Sequence, residues 1–407
     1  MSTDPQGAPR PLPDRPNLRH LKDQAKDLLK TGIAKSVAAA QFQIARLYDF
    51  ASWPKLKAYV ESLGEIGHLK QAIDRNDLDR VKTMMSRNSA LHRAPLGYGK
   101  DGPLTWVAEC RVPWGPPSPT RLAMAKWMIE NGSDVHQGGD GPLMRAALQE
   151  RVPMMELLVA HGANVNAEWH GEYPIIYSAC EAIDPVALKW LLEHGANPNC
   201  DNLTRTYPDT ALDYVIGSYV RSSELRACID ILAEAGCRTK CPDPVLDVLR
   251  GDLGRLVQRL DAFPALVHEQ FPTLDFGTTG ARMLTLRGAT LLHVAAEYRN
   301  VDIMALLFAR GADANARATL AETGVGGQTP LFHAVTQRDD GGLPAVRLLL
   351  EHGADLSVRA KVPGHYERLD EVLECTPLGY ARRFVDEPCR SDKVRTVAFL
   401  SEQGAVE

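Results

Sequence analysis

The sequence predicts an all-α solenoid, in which helix-turn-helix units stack side by side and long hairpin fingers join them. A small helical cap precedes the array. Three observations predict this. The pattern Leu-Leu-x-x-Gly-Ala recurs, as ELLVAHGANVNA at 156–167, KWLLEHGANPN at 189–199, ALLFARGADANA at 305–316 and RLLLEHGADLS at 347–357. A second pattern of Pro and small residues precedes it, as TLLHVAAEYRN at 290–300, QTPLFHAVTQR at 328–338 and CTPLGYARRF at 375–384. Ahead of both, NLRHLKDQAKDLLK places Leu18, Leu21, Ala25 and Leu28 on one helical face.

Each element follows from local chemistry. Residues 1–16 are rich in Pro and polar groups and are expected to be disordered. Residues 17–64 read as a helical module: the stretch just quoted, then SVAAAQFQIARLYDF, then SWPKLKAYVESLG, with Ser52 as a cap and Pro54 in the first turn. From 65 to 407 the two patterns alternate. Thr caps a first helix through its side-chain oxygen. Pro follows at the first helical position, where a missing N–H costs nothing. The small pair lets neighbouring helices approach closely. The Gly permits the left-handed cap that ends the second helix. No unit can bury its apolar face alone, so the units must stack.

This alternation resembles ankyrin repeats, whose signature is a turn, T-P-L-H-x-A-A on a first helix, and a second helix ending L-L-x-x-G-A. With that ruler, nine units begin near Gly67, Gly102, Gly141, Tyr173, Thr210, Asp243, Thr290, Thr329 and Thr376. The first and sixth are degenerate, and the sixth puts Asp247 where a small apolar residue is expected. The segment 17–64 is similar to the helical leader ahead of some bacterial ankyrin-repeat proteins, and is expected to shield the apolar end of the stack.

Composition narrows the function. Net charge is −5, which gives no electrostatic footprint for nucleic acid. No apolar run approaches the roughly 20 residues of a membrane span, and the first residues lack an apolar signal core. Eight scattered cysteines read as reduced thiols, so a cytoplasmic location is expected. Cys237 and Cys241 form an isolated C-x3-C pair without further ligands nearby, and no metal is expected. There is no Gly-rich phosphate loop, no G-x-S-x-G and no H-E-x-x-H, and no cofactor is expected. A monomer is expected.

The resemblance implies binding through the fingers and the exposed side of the first helices. The two positions after each small pair, expected to be exposed, include Glu109-Cys110, Cys180-Glu181, Glu297-Tyr298, Thr336-Gln337 and Arg382-Arg383. A half-buried position lining the same groove reads Trp106, Arg145, Tyr177, Tyr214, Val294, His333 and Tyr380. At about 10 Å per repeat, Glu109 and Glu181 stand roughly 20 Å apart. A glycosidase pair needs about 5–9.5 Å, so those two cannot act together.

One tighter cluster remains. Trp169, His170, Glu172 and Glu181 belong to one repeat, and Tyr207 and Asp209 to the next. A second candidate is the long finger at 358–376, with His365, Tyr366 and Glu367. Further excursions run over 111–120 and 268–288. Long excursions in a repeat array tend to lie on its binding face. The reading is therefore a binding protein whose partner is another protein. The alternative is a protein or enzyme for a small polar or aromatic ligand. In it the fingers close a pocket, and His170, Glu181 or His365 acts as acid or base. His161, His194 and His352 precede helix-ending glycines and read as structural, as does His293.

Overall fold

The computed structural model describes residues 10–13, 16–148, 151–200, 208, 210–278, 282–368, 370–385 and 394–407. The chain divides into two compact units, residues 1–142 with 160–162, and 143–159 with 163–407.

The first unit opens with helices Leu18–Lys30, Val37–Leu47 and Trp53–Asp74. Asn17 caps the first by accepting the Arg19 N–H at 2.8 Å, and Ser36 caps the second by accepting from Ala39 at 3.1 Å. Ser52 occupies the cap position of the third but makes no side-chain cap bond; Pro54 sets the first turn instead. Leu21, Ala25, Ile44 and Leu56 meet in one apolar core, with Leu18 and Leu28 at its margin. Part of the Pro-rich tail is ordered against it. The Arg10 N–H donates to the Leu47 carbonyl, and Leu12 packs on the same core. Helix Trp53–Asp74 runs unbroken past residue 64, where the leader was expected to end. It packs against Leu78–Arg87, and Pro103–Glu109 packs against Pro119–Glu130.

In the second unit the helix pairs are Ile175–Ala182 with Pro185–Glu193, Ala211–Ile216 with Leu225–Glu234, and Asp243–Arg250 with Leu253–Ala262. They continue with Leu291–Glu297 and Val301–Ala309, Pro330–Ala334 and Leu343–Glu351, and Pro377–Arg383 and Val394–Glu402. The motif chemistry is visible in the pairs. Thr210 and Thr376 accept from Asp213 and Gly379 at 3.2 Å. Pro330 and Pro377 open their helices. Gly195, Gly311 and Gly353 sit at φ of +87, +88 and +80°, the left-handed cap the pattern requires. Asn166 and Asn315 then tie neighbouring turns together. Each donates to a glycine carbonyl of the next repeat at 2.9 Å (Gly195 and Gly353) and accepts the Asn197 or Asp355 N–H at 2.7 Å. Asp247, the misfit of the sixth unit, is buried and ion-paired to Arg259 on the following helix.

Among the described residues two fingers are hairpins. Glu168–Trp169 pairs antiparallel with Tyr173–Pro174, and Ala360–Pro363 with Val372–Cys375. The second hairpin and the 268–288 excursion fold onto the first helices. Leu284, Ala360 and Val362 share a core with Phe332, Tyr380 and Phe384, and the Met283 N–H donates to the Gly364 carbonyl at 3.3 Å.

Candidate functional site

The exposed finger at 168–174 and the helix after it form the first candidate. His170 sits at the hairpin tip with φ +52°, a left-handed position that two following residues then turn back into the strand. Its ring lies edge-on to Trp169, centroids 4.5 Å apart. Trp169 meets Tyr173 edge-on at 6.3 Å, Tyr173 meets Tyr177 at 5.9 Å, and Tyr177 lies 4.7 Å from Tyr214. Such edge and offset contacts are the geometry the ring quadrupoles favour. The result is an aromatic ladder from the fingertip down to the helices.

Exposure grades along that ladder. His170 and Glu172 are exposed, Trp169 and Tyr214 are half-buried, Tyr173 is buried and Tyr177 is fully buried. Tyr177 therefore faces the core rather than a groove, and its hydroxyl donates to the Pro208 carbonyl at 2.6 Å. Tyr173 stands where other repeats have the capping Thr. Its hydroxyl donates to the exposed Glu181 at 2.9 Å, and burial, followed by the neighbouring Tyr214 and Glu181, keeps the phenol protonated. Tyr207 and Asp209, expected to complete this cluster, lie outside the described residues.

The other helix positions expected to face solvent behave differently. Glu109, Cys110, Cys180, Glu297, Thr336 and Gln337 are all buried, while Glu181 and Arg382 are exposed. The reasons are local. Thr336 and Gln337 turn back to donate to the Phe332 and His333 carbonyls of their own helix, at 3.0 and 2.9 Å. Glu109 meets Arg111 of the adjoining excursion at 3.4 Å. Glu297 is covered by the 268–288 excursion.

That covering makes a second site. Arg282 grips Glu297 through Nη2, at 2.8 Å to Oε1 and 2.7 Å to Oε2. His333 donates from Nδ1 to Oε2 at 2.8 Å, and Arg221 reaches Oε1 at 3.5 Å. All four side chains are buried, with exposures of 2% for Arg282, 0% for Glu297 and His333, and 4% for Arg221. Burial alone would favour the neutral acid. Arg282, the His333 hydrogen bond and Arg221 outweigh it and hold the Glu297 carboxyl down at about 2. Burial also lowers His333, against the pull of Glu297, so its ring is neutral with the proton on Nδ1. His293 is a structural neighbour. Its Nδ1 accepts the Thr290 N–H at 3.1 Å, Nε2 donates to the Gln328 carbonyl at 3.1 Å, and burial followed by His333 pushes it down to about 3.

The remaining candidates are dispersed. Trp106 is half-buried in the first unit; its indole donates to Asp74 at 2.7 Å and Lys70 sits 4.3 Å over its ring. Arg145 is half-buried. Tyr298 is half-buried and donates to the Ile216 carbonyl at 2.7 Å, skipping the degenerate sixth unit. His365 is buried in the second hairpin, where Nδ1 accepts the Glu367 N–H at 3.1 Å; Tyr366 and Glu367 are exposed beside it. His170 and Glu181 thus belong to the first finger, and His365 to the second. Arg221, Arg282 and Arg299 were missed by sequence reasoning. The length of the 268–288 excursion was a signal, but nothing in it singles out Arg282.

Among the described residues no group of His, Cys, Asp and Glu could hold a metal, and no helix is long and apolar enough to cross a membrane. Cys237 and Cys241 are buried thiols, the latter pushed up to about 12 by burial.

The family model for ankyrin repeats matches residues 120–202 and 258–360, as three copies. No curated protein matches the chain. Among solved structures, the crystal structure of the human ASB11 ankyrin repeat domain is similar at 18% identity and a TM-score of 0.33, over 74% of this chain and 97% of that one.

Proposed function

We propose, from the premise that residues 120–202 and 258–360 are ankyrin repeats, that this chain recognises a protein partner through the finger at 168–174 and the start of the helix behind it. Ankyrin repeats generally mediate protein–protein interactions. The observation that carries the reading here is the aromatic ladder: a half-buried Trp169 braced by Tyr173, with His170, Glu172 and Glu181 exposed around it. Rigid aromatic anchors with a polar rim are the composition of binding hot spots. Tyr177 and His333 are too buried to touch a partner, so the contact set reduces to the fingertip.

The test is paired capture. Wild-type chain and a Trp169→Ala, His170→Ala variant are immobilised and exposed to the same lysate, with Glu193→Ala as an exposed control. The proposal expects proteins retained by wild type and control to be lost from the fingertip variant. Identical retention by all three, with the variant folded, sinks it.

One observation favours the second reading, a ligand pocket closed by fingers. Residues 282–283 and 364–365 do join above the first helices. Beneath the join, however, Arg282 occupies the space over Glu297. His170, Glu181 and His365 would be the acid–base groups of that reading. Loss of turnover in His365→Gln, with a candidate substrate in hand, is what would promote it.

A further inference from the structure

A second feature of the same unit lies where first helices turn into second helices. The loop 217–224, between Ala211–Ile216 and Leu225–Glu234, reaches past the degenerate sixth unit to the turn at 298–300. Between them is a cleft of about 420 Å³, within the range of small-molecule sites. Arg221, Arg226 and Arg299 all line it, with Ser222 and Asn300 beside them. Asp302 is the carboxylate on the wall.

Arg221 and Arg299 are sunk into the fold, whereas Arg226 is the more exposed of the three. Arg221 is 4% exposed, lies 4.4 Å over the Tyr298 ring, and leaves its Nε–H buried with no acceptor among the described residues. Arg299 rests against Gly341, where an added Cβ would come within 2.4 Å of Nη1. It donates to the Arg221 carbonyl, and among the described residues no carboxylate lies in ion-pair reach of it. Arg226 nests on Gly251 in the same way: a Cβ there would meet Nη1 at 2.6 Å, and Nη2 donates to the Gly251 carbonyl at 3.2 Å. Two glycines thus make room for two guanidinium groups.

Charge is unbalanced here. Glu297 must serve both Arg221 and Arg282. Arg226 stands 3.9 Å from Asp230, which bonds Arg250 more closely at 2.7 Å. Burial, and then the Arg221 charge, weaken the hold of Arg299 on its proton, against the pull of Glu297 and Asp339. An added anion relieves that repulsion. Guanidinium forks match phosphate oxygens in geometry, and hydroxyl and amide groups complete such sites. The far wall is apolar, formed by Leu225, Ile229 and Leu249, which suits a ligand with a ring or chain behind its anionic head.

We infer that this cleft binds a phosphomonoester carried on a small, partly apolar body, held by Arg299 and Arg226 with Arg221 behind them. The reading does not depend on the fingertip's role, since neither residue set contains the other.

The experiment is calorimetric titration of the full chain with phenyl phosphate, benzoate and phenol at low salt. Phenyl phosphate is expected to bind, benzoate more weakly, and phenol not measurably. Arg299→Gln should weaken phenyl phosphate by roughly tenfold or more, and Arg299→Lys by less, since Lys keeps the charge but loses the fork. If Arg299→Gln does not fold, Arg226→Gln carries the test, because that side chain is 58% exposed. Absence of phenyl phosphate binding overturns the inference. So does binding unchanged in folded variants, or benzoate binding as tightly as phenyl phosphate.

Discussion

The fourth and seventh repeats each bring a glutamate to the end of the first helix, and the two meet opposite fates. Glu181 is exposed and accepts one phenol, from Tyr173 of its own repeat. Glu297 is fully buried and takes Arg282, Arg221 and His333, from three other places in the chain. The helices are alike: Ile175–Ala182 and Leu291–Glu297. Two things differ: Glu297 holds the first position after the small pair, where the fourth repeat has the buried Cys180, and the preceding connection is not the same. Before the fourth repeat it is a short hairpin, Glu168–Trp169 with Tyr173–Pro174. Before the seventh it is the long 268–288 excursion, which lays Arg282 over the helix. Exposure on the first helices therefore follows both the repeat register and what the connections cover. A short finger leaves a face to be used by a partner, and a long one spends that face on the protein's own core.

The comparison breaks most decisively at Glu297. Glu297→Ala strands Arg282 and Arg221 in the interior, and removing one partner of a buried ion cluster costs about 3–5 kcal/mol. Urea unfolding measures it. Arg282→Met combined with Glu297→Leu should cost clearly less than the single change, since neither charge is then left alone. A cost for Glu297→Ala no larger than that of a surface substitution would mean the excursion is not held by this cluster. At the open site the expected effect is on binding instead. Trp169→Ala should weaken a captured partner by about 2 kcal/mol, while the unfolding midpoint in urea stays near that of the wild type.

Protonation sharpens the contrast. His293 titrates at an ordinary 6.5 when unfolded and at about 3 in the fold. A depressed pKa means the unfolded chain takes the proton first. The stability is thus complete above about pH 6.5 and falls as the pH drops toward 3. At 1.36 kcal/mol per unit, the loss at pH 5.5 is about 1.4 kcal/mol. His333 is lowered too and adds in the same direction. Glu297 works in a separate window, its contribution present above the ordinary 4.5 and lost as pH falls toward 2. Unfolding midpoints of wild type and His293→Gln between pH 7 and 5 provide the check. The variant should show the shallower slope, and equal slopes would assign the pH dependence elsewhere.

Sequence reading went far where the chemistry is local. The left-handed glycines at 195, 311 and 353, the Thr caps at 210 and 376 and Pro377 after the second cap all lie within a few residues of the turns they make. The Tyr173–Glu181 pair spans eight residues of one repeat, so its proximity was legible too. Arg221 and Glu297 are 76 residues apart, and no periodicity joins them. The resemblance supplied an exposed position for Glu109 and Glu297, yet Cys180, at the same position behind the short finger, is buried as well. Excursion length warned that something would be covered, but a segment without register does not say which side chain it will bury.

The smallest expected effect is the most direct test of how lightly the open face is held. Glu181 is exposed, and its one described bond is to Tyr173. Glu181→Gln keeps an acceptor for that hydroxyl, so stability should fall by no more than about 0.5–1 kcal/mol, the net worth of one hydrogen bond. Tyr173→Phe removes the donor and should cost a similar amount while keeping the ring contacts with Trp169 and Tyr177. Applied together, the two changes should cost about the same as Tyr173→Phe alone, because both act on one bond. If the double variant instead costs several times the single one, Glu181 is tied to more than Tyr173. The fourth repeat would then resemble the seventh, and the difference between a free face and a filled one would have to be sought elsewhere.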